Sequence, residues 1–243
     1  MNASEDEFVD DIEQAPRGPD TPEIRDADLP KVYPFIKRVL EFPVALILVI
    51  CLLPVYLGLT LAAYISHGFP ALFMFPRLGK NGKPFHIFKF RTMVRDAKQQ
   101  MRNGASNDSL ITPYGRFLRK THMDELAQAL NVLFGHISFV GPRPMDSDTF
   151  NFILEENEIW PDILKTRPGI TCLESILADL PEIDEKVRRL LKIPPPPETP
   201  PTMSLPRRYP LDRFYIENES LWMDLVIVWY TLRTFAGKAA DHR

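Results

Sequence analysis

The chain has 243 residues, of which 45% are hydrophobic and 25% charged, close to an ordinary globular composition. This balance excludes a chain that is disordered throughout, and the two cysteines are too few for a disulfide scaffold. Charge is divided unevenly. Residues 1–30 hold ten Asp/Glu and two Arg, a net of −8, whereas the remainder carries +5. The basic remainder favours an anionic partner such as a phosphate, a nucleotide or a lipid headgroup.

The first 30 residues are acidic, poor in large apolar side chains and contain four prolines. This composition predicts a disordered tail. The segment lacks the basic start and the apolar stretch of a secretory signal, so we do not interpret it as one.

An apolar run of 24 residues without a charge extends from Phe42 to Ile65. As a helix it would be about 36 Å long at about 1.5 Å per residue, enough to cross a hydrocarbon core of ~30 Å. The run therefore predicts membrane insertion. A buried core helix is the less favoured alternative.

Pro54 lies in the middle of this run and predicts a kink, because proline removes a helical hydrogen bond and clashes with the preceding turn. Basic residues flank both ends of the run, and the positive-inside rule favours placing both in the cytosol. A re-entrant helix over residues 31–72, broken at Pro54, satisfies that rule. A kinked single span stays open, because membrane-spanning helices tolerate proline.

A β-hairpin is predicted from Phe73 to Met93, with Asn81-Gly82 as its turn. In its second strand Lys89 and Arg91 are two residues apart and so share one face, which suits an anion. A short helix should follow near Val94–Met101.

The later elements follow from apolar periodicity and proline content. We expect a helical region over Arg116–Phe134, a short strand or extended piece over Ile137–Val140 and a helix over Phe150–Ile159. Seven prolines in residues 194–206 predict an insert that no helix crosses. The last helix is expected over Asp212–Phe235. It is either a core helix or, slightly favoured, a helix in the headgroup region.

Two adjacent carboxylates, Asp124 and Glu125, follow a basic stretch. A structural interpretation takes Thr121-x-x-Asp124 as a capping box that begins a helix. A functional interpretation uses the same helix start as a phosphate site, where a carboxylate can attack phosphorus or hold Mg²⁺. Successive helical residues diverge by about 100°, so two different roles are more natural than a shared proton.

Attack of a carboxylate on a diphosphate is opposed by charge repulsion, which Mg²⁺ and basic side chains must first neutralise. Each basic residue taken alone is more often a solvated surface charge than a phosphate ligand. Arg143 is the strongest candidate, because the prolines on either side of it fix its backbone. The candidate phosphate-binding residues are Lys89, Arg91, Arg116, Arg119, Arg143 and Arg167.

Other chemistry has little support in the sequence. The five histidines show no metal-ligand spacing and no C-x-x-C occurs. No glycine-rich loop matches a nucleotide-binding fingerprint, and no basic stretch interleaved with aromatic residues indicates nucleic-acid binding.

Taken together, residues of about 35–235 resemble the bacterial sugar transferase family, the monotopic polyprenyl-phosphate phosphoglycosyl transferases. The motifs that carry this resemblance are Arg77-Leu-Gly-Lys-Asn-Gly-Lys-Pro-Phe85, Lys89-Phe-Arg-Thr-Met93, Thr112-Pro-Tyr-Gly-Arg-Phe-Leu-Arg-Lys120, Asp124-Glu-Leu126, Asn131-Val-Leu-Phe-Gly135, Ser138-Phe-Val-Gly-Pro-Arg-Pro144 and Arg167-Pro-Gly-Ile-Thr171, with a weaker echo in Leu211-Asp-Arg-Phe-Tyr215 and Ser220-Leu-Trp-Met-Asp224.

The resemblance implies a small α/β catalytic domain over residues 73–236, with surface helices and a re-entrant membrane helix, followed by a short tail at 237–243. It implies a place on the cytoplasmic face of a bacterial inner membrane. The implied reaction moves a sugar-1-phosphate from a UDP-sugar to polyprenyl phosphate with Mg²⁺ and releases UMP. Asp124 would be the nucleophile and a metal ligand, Glu125 would aid metal or acceptor activation, and Arg143 would bind phosphate.

A second hypothesis from a different class is a non-catalytic membrane scaffold or regulator that keeps the fold. It is motivated by Cys172–Asp179, where the chain departs from the family's usual sequence, and by the proline-rich insert that follows. Homo-oligomerisation is left open.

Overall fold

The computed structural model describes residues 32–104, 106–146, 160–179, 181–193 and 204–240. The acidic tail, the helix predicted over Phe150–Ile159 and residues 194–203 of the proline-rich insert lie outside this part of the chain. The chain divides into two compact units. The first unit comprises Met1–Glu41, Arg77–Phe85 and His136–Arg243, and the second comprises Phe42–Pro76 and His86–Gly135.

Helix α1 runs from Tyr33 to His67 over 35 residues, with Pro43 and Pro54 inside it. It is long and apolar enough to cross a membrane, and only 11% of its most apolar window is buried. A core helix of a soluble protein would be mostly buried, so that alternative for the apolar run is excluded. Whether the helix turns back at Pro54 stays a prediction.

The predicted hairpin is confirmed by strands β1 (Leu72–Leu78) and β2 (Pro84–Phe90), which pair in a two-stranded sheet. Its turn is at Asn81-Gly82, where the two residues have φ of 58° and 70°. Positive φ at both positions is what a tight hairpin turn demands and what Asn-Gly readily adopts.

The helical region predicted over Arg116–Phe134 is present but broken. Helix α3 (Pro113–Thr121) ends at His122, which adopts a left-handed conformation with φ 55°. A three-residue 3₁₀ turn, Met123–Glu125, follows, and helix α4 runs from Gln128 to Phe134. The short helix expected near residues 94–101 is α2 (Ala97–Arg102).

The core of the second unit is formed where α1, β2, α3 and the 3₁₀ turn meet. Leu59, Phe90, Leu118 and Ala127 are its buried members. Gly115 of α3 lies directly on the backbone of Thr92, because a Cβ there would be 1.9 Å from the Thr92 carbonyl oxygen. Only glycine permits this approach.

A second small sheet belongs to the first unit. Strand β3 (Ser138–Val140) was expected from the sequence, whereas its parallel partner β4 (Gly169–Thr171) was not. The two strands approach so closely that a Cβ at Gly169 would be 2.1 Å from the Gly141 backbone nitrogen. Mixed α/β content is thus confirmed, with sheets of two strands each in the described residues.

Four helices complete the first unit: α5 (Leu173–Asp179), α6 (Pro181–Leu191), α7 (Ser204–Asn218) and α8 (Leu221–Ala240). The prediction of one final helix from Asp212 is wrong. Ser220 begins a new helix, because its hydroxyl accepts a hydrogen bond from the backbone nitrogen of Met223 at 3.3 Å. Helix α7 also begins inside the predicted proline-rich insert, with Pro206 in the first turn, where proline is tolerated.

For helix α8 the core-helix alternative is confirmed on one side, and a place in the headgroup region stays a prediction. One side contributes Met223, Val226, Ile227 and Tyr230 to the buried core of the first unit. Apolar side chains on the other side are exposed, among them Trp222 at 60% and Trp229 at 66%.

Candidate active site

The Asp124-Glu125 pair lies in the 3₁₀ turn Met123–Glu125 and not at the start of an α-helix. The capping-box interpretation is wrong, because the Thr121 hydroxyl donates back to the carbonyl oxygens of Phe117 and Leu118 and so belongs to the end of α3. A three-residue turn has little dipole, and the positive field around the carboxylates must come from side chains instead.

Lys89 on β2 supplies that positive charge. Its Nζ is 2.6 Å from Glu125 Oε1 and 3.9 Å from Asp124 Oδ2. One ammonium group therefore faces both carboxylates. Lys89 was predicted to bind an anion, and in this structure the anions next to it are the side chains of Asp124 and Glu125. The Lys89 and Glu125 side chains are 30% and 38% exposed, so solvent and solutes reach this pair.

Asp124 is the buried member of the pair, at 9% exposure. Burial raises the pKa of the Asp124 carboxyl above its usual range, and the charge of Glu125 adds to the rise. Lys89 and Arg119 oppose it by favouring the ionised form. Asp124 is thus a poorly solvated carboxylate whose charge depends on neighbouring cations, the environment in which a carboxylate is a stronger nucleophile.

The other cations predicted in this unit have different surroundings. Arg119 Nε donates to the Thr92 hydroxyl at 3.1 Å, which holds its stem near the carboxylates. Arg116 is exposed and its guanidinium is 3.5 Å from the Ile111 carbonyl oxygen. Arg91 lies beyond the end of β2, 5.8 Å from the centre of the Phe73 ring, and its Nη1 is buried without a hydrogen-bond partner.

Asn131, a fully buried residue of α4, was quoted from the sequence as part of a motif but given no role. Its side-chain oxygen accepts from Phe88 N at 2.9 Å and its amide donates to His86 O at 2.7 Å. These two bonds satisfy β2 next to Lys89 and so fix the strand that carries the ammonium group. A buried Asn two turns after the carboxylates was the available signal.

The 3₁₀ turn Met123–Glu125, which we call the carboxylate turn, is bonded at its C-terminal cap, Leu126, to the second half of helix α1. Tyr56 donates its hydroxyl to the Leu126 carbonyl oxygen at 2.9 Å, two residues from Asp124. Tyr114 on α3 donates to the Leu59 carbonyl oxygen at 2.8 Å. The apolar helix is therefore part of the support of the site and not a separate anchor.

Arg143 and Arg167 belong to the first unit. Arg143 is exposed in the loop Gly141–Pro144, which we call the GPRP loop. The carbonyl oxygen of Pro142 accepts from Gly169 N at 2.8 Å, which joins the GPRP loop to the segment that Arg167 begins. The structure thus brings these two predicted phosphate-binding residues onto adjoining backbone segments.

A bound Mg²⁺ is implied by the resemblance, and the donor chemistry here fits it. Among the described residues no group of three or more His, Cys, Asp or Glu could hold a metal ion alone. Mg²⁺ is usually bound by one or two carboxylates together with substrate phosphates, so the Asp124-Glu125 pair with a diphosphate would be a sufficient set.

The family model described as "Bacterial sugar transferase" matches residues 32–238, most of the chain and both units. The chain belongs to the bacterial sugar transferase family. Both candidate groups, the carboxylate turn and the GPRP loop, fall inside the matched region.

Curated members of the bacterial sugar transferase family align with most of this chain. A UDP-glucose:undecaprenyl-phosphate glucose-1-phosphate transferase of Klebsiella pneumoniae is 30% identical over 88% of this chain and 43% of its own length. A UDP-N-acetylgalactosamine-undecaprenyl-phosphate N-acetylgalactosaminephosphotransferase of Aeromonas hydrophila is 29% identical, covering 84% and 44%. A UDP-glucose:undecaprenyl-phosphate glucose-1-phosphate transferase of Caulobacter vibrioides is 34% identical, covering 81% and 68%.

The chain spans less than half the length of the first two of these relatives. Similarity to them therefore concerns the segment that carries the carboxylate turn and the GPRP loop.

Proposed function

We propose that the chain transfers a sugar-1-phosphate from a UDP-sugar to polyprenyl phosphate, releasing UMP and starting a lipid-linked glycan. One observation carries the proposal. A buried carboxylate, Asp124, faces a lysine and lies on a turn bonded to an apolar helix. That arrangement suits a reaction between a water-soluble sugar nucleotide and a lipid phosphate. The names of the relatives describe the same class of reaction.

Two displacement steps account for the chemistry. In the first, an Asp124 carboxylate oxygen attacks the β-phosphorus of the UDP-sugar, and the bond from that phosphorus to the oxygen of UMP breaks. In the second, a phosphate oxygen of the polyprenyl phosphate attacks the same phosphorus, and the bond to Asp124 breaks. The products are UMP and a polyprenyl diphosphate sugar, and the carboxylate is regenerated.

Each neighbouring group has a separate part in these steps. Lys89 keeps Asp124 ionised, and it can exchange its contact with Glu125 for a phosphate oxygen because that pair is partly exposed. Arg143 and Arg167, which belong to the first unit, are proposed as phosphate-binding residues. Asp124 and Glu125 would hold Mg²⁺, which supplies charge neutralisation to the diphosphate.

We further propose that α1 is re-entrant and that the catalytic residues face the cytoplasm. The basic residues on both sides of the apolar run support this topology.

A panel of UDP-sugars tests the proposed function. The purified protein in detergent is incubated with each donor and Mg²⁺, with and without polyprenyl phosphate, and UMP is measured. We expect UMP with at least one donor, and a phosphosugar adduct on Asp124 by mass spectrometry when the acceptor is left out. The relatives' names differ in the sugar, so the panel must include glucose and N-acetylgalactosamine donors. No UMP with any donor would favour the non-catalytic scaffold.

A further inference from the structure

Lys37, near the start of helix α1, is a buried lysine whose ammonium group is fully engaged. Its Nζ is 2.6 Å from the Val140 carbonyl oxygen, 2.6 Å from the Tyr215 hydroxyl and 2.8 Å from Asp224 Oδ2. An ammonium group has three protons, and here each has an acceptor. All four residues belong to the first unit.

The acceptors of Lys37 are themselves held by further hydrogen bonds. The Tyr215 hydroxyl donates to Asp224 Oδ1 at 2.6 Å, and the Tyr33 hydroxyl donates to Asp224 Oδ2 at 2.6 Å. The Lys37 and Asp224 side chains are 7% and 11% exposed. A buried ion pair seldom stabilises a fold more than apolar residues of the same size would. Stability alone therefore does not account for this cluster, and we ask what its hydrogen bonds hold in place.

Among the acceptors of Lys37, the Val140 carbonyl oxygen is the one next to the loop that carries a candidate phosphate-binding residue. Val140 is the last residue of β3, and the GPRP loop begins at the next residue. The backbone of this loop is already in contact with β4 and with Arg167. Gly141 N donates to Thr171 O at 3.0 Å, and a Cβ at Gly141 would be 2.4 Å from the Arg167 carbonyl oxygen. The loop therefore has β4 against one side, while Lys37 holds the carbonyl from which it starts.

Glu41, one helical turn after Lys37, makes a second contact with the same strand. Its Oε1 accepts from Phe139 N at 2.8 Å. Ser138 N bonds to Pro168 next to β4, so the Phe139 N–H lies on the edge that β4 leaves unpaired. Side chains of helix α1 thus occupy the place of a third strand beside β3.

We propose that Lys37, Tyr215 and Asp224 are positioning residues that order the GPRP loop and through it Arg143. The proposal rests on the proposed function in one respect, the binding of phosphate by Arg143. Arg143 is an exposed residue of this loop, so the path of the loop backbone sets the position from which its side chain extends. The first turns of the apolar helix thereby set the geometry of a phosphate-binding loop.

Hydrogen exchange tests the ordering directly and does not require activity. The full chain in detergent is compared with Lys37→Met, which keeps the side-chain length but removes the ammonium group, and with Tyr215→Phe, which removes one hydroxyl. Lys186→Met on α6 is the matched control, because Lys186 is exposed in the same unit. We expect the Gly141 and Gly169 amides to exchange about tenfold faster in Tyr215→Phe, relative to amides of α6. In Lys37→Met, which also lowers the stability of the whole fold, these two amides should accelerate at least as much as in Tyr215→Phe.

In Tyr215→Phe, unchanged exchange at Gly141 and Gly169, or equal acceleration throughout the unit, would overturn the proposal. Equal acceleration would mean that the cluster only stabilises the fold. Either result stands whether or not the protein releases UMP, so failure of the proposed function is recognised separately, by the donor panel.

A double-mutant cycle adds the functional readout. In the active enzyme, Tyr215→Phe should raise the KM for the UDP-sugar about tenfold with a smaller change in kcat. In an Arg143→Gln background the same change should have little further effect on KM, because the loop has already lost the group that is positioned. Independent, multiplicative effects of the two substitutions would contradict action through Arg143.

Discussion

Two lysine–carboxylate pairs, one in each unit, differ in their access to solvent. Lys89 and Glu125 in the second unit are 2.6 Å apart with side chains 30% and 38% exposed. Lys37 and Asp224 in the first unit are 2.8 Å apart with side chains 7% and 11% exposed. A partly exposed pair opens at little cost and can exchange its partner for a substrate phosphate, whereas a buried pair with all its protons bonded cannot. The first arrangement suits chemistry and the second suits positioning.

The largest effect on activity should come from replacing Asp124, the carboxylate beside the partly exposed Lys89–Glu125 pair. Asp124→Asn is expected to reduce UMP release by about a thousandfold or more, because the amide cannot displace UMP from the diphosphate. Asp108→Asn is the matched control, since Asp108 is an exposed aspartate of the same unit. Full activity of Asp124→Asn would refute its assignment as the nucleophile and leave Glu125 as the next candidate.

Sequence reasoning reached the local features of the fold and missed those that depend on tertiary contacts. The Asn81-Gly82 turn has a local physical cause, and the hairpin was correct. Strand β4 is only three residues long and is defined by its contact with β3, which no local pattern reveals. The break at His122 was missed for a related reason. A histidine backbone in the left-handed region is uncommon, and here it joins the end of α3 to the start of the 3₁₀ turn Met123–Glu125.

The candidate site shows the same division. Residue types and motif order singled out Asp124, Glu125 and Lys89, which the structure brings together. Lys37 was noticed only as a basic flank of the apolar run. Its bonds to Val140 and Asp224 join residues far apart in the sequence, and no spacing rule connects them.

Removing the lysine from each pair in turn tests the comparison on stability. Lys37→Met should lower the free energy of unfolding by about 3–5 kcal/mol, because Asp224 is left buried with an unpaired charge. Lys89→Met should lower it by less, since Glu125 is open to water and the buried Asp124 can still interact with Arg119 or take up a proton. Thermal unfolding in detergent measures the difference, which should be about 10 °C for a domain of this size. Equal shifts would remove the distinction between the two pairs.

The pH dependence of UMP release tests whether Lys89 keeps the Asp124 carboxylate ionised, separately from its effect on stability. Protonated Asp124 cannot attack phosphorus, so the rate falls as pH drops through the pKa of this carboxyl. Lys89 lowers that pKa by favouring the ionised form, against the rise caused by burial. Lys89→Met should therefore move the acid limb of the profile to higher pH. Lys120→Met, an exposed lysine on α3, should leave the limb in place.

The smallest expected effect is a change in tryptophan fluorescence from the exposed apolar side of α8. It compares access to lipid, where the earlier predictions compare access of charged pairs to water. Trp222 and Trp229 are exposed, and Leu225 and Leu232, at 55% and 59% exposure, follow them at helical spacing. Tryptophan favours the membrane–water interface, so a helix in the headgroup region would place both indoles there. In a Trp160→Phe variant only these two tryptophans remain, and vesicles of brominated lipid should quench their fluorescence relative to ordinary lipid.

A reciprocal variant gives the control for this measurement. When Trp222 and Trp229 are replaced by Phe, only Trp160 reports, and the difference between the two lipids should become smaller. Equal fluorescence of the Trp160→Phe variant in both vesicles would show that the indoles remain in water. Quenching of the Trp160→Phe variant would instead show that α8, whose Asp224 bonds to Lys37, contacts the membrane.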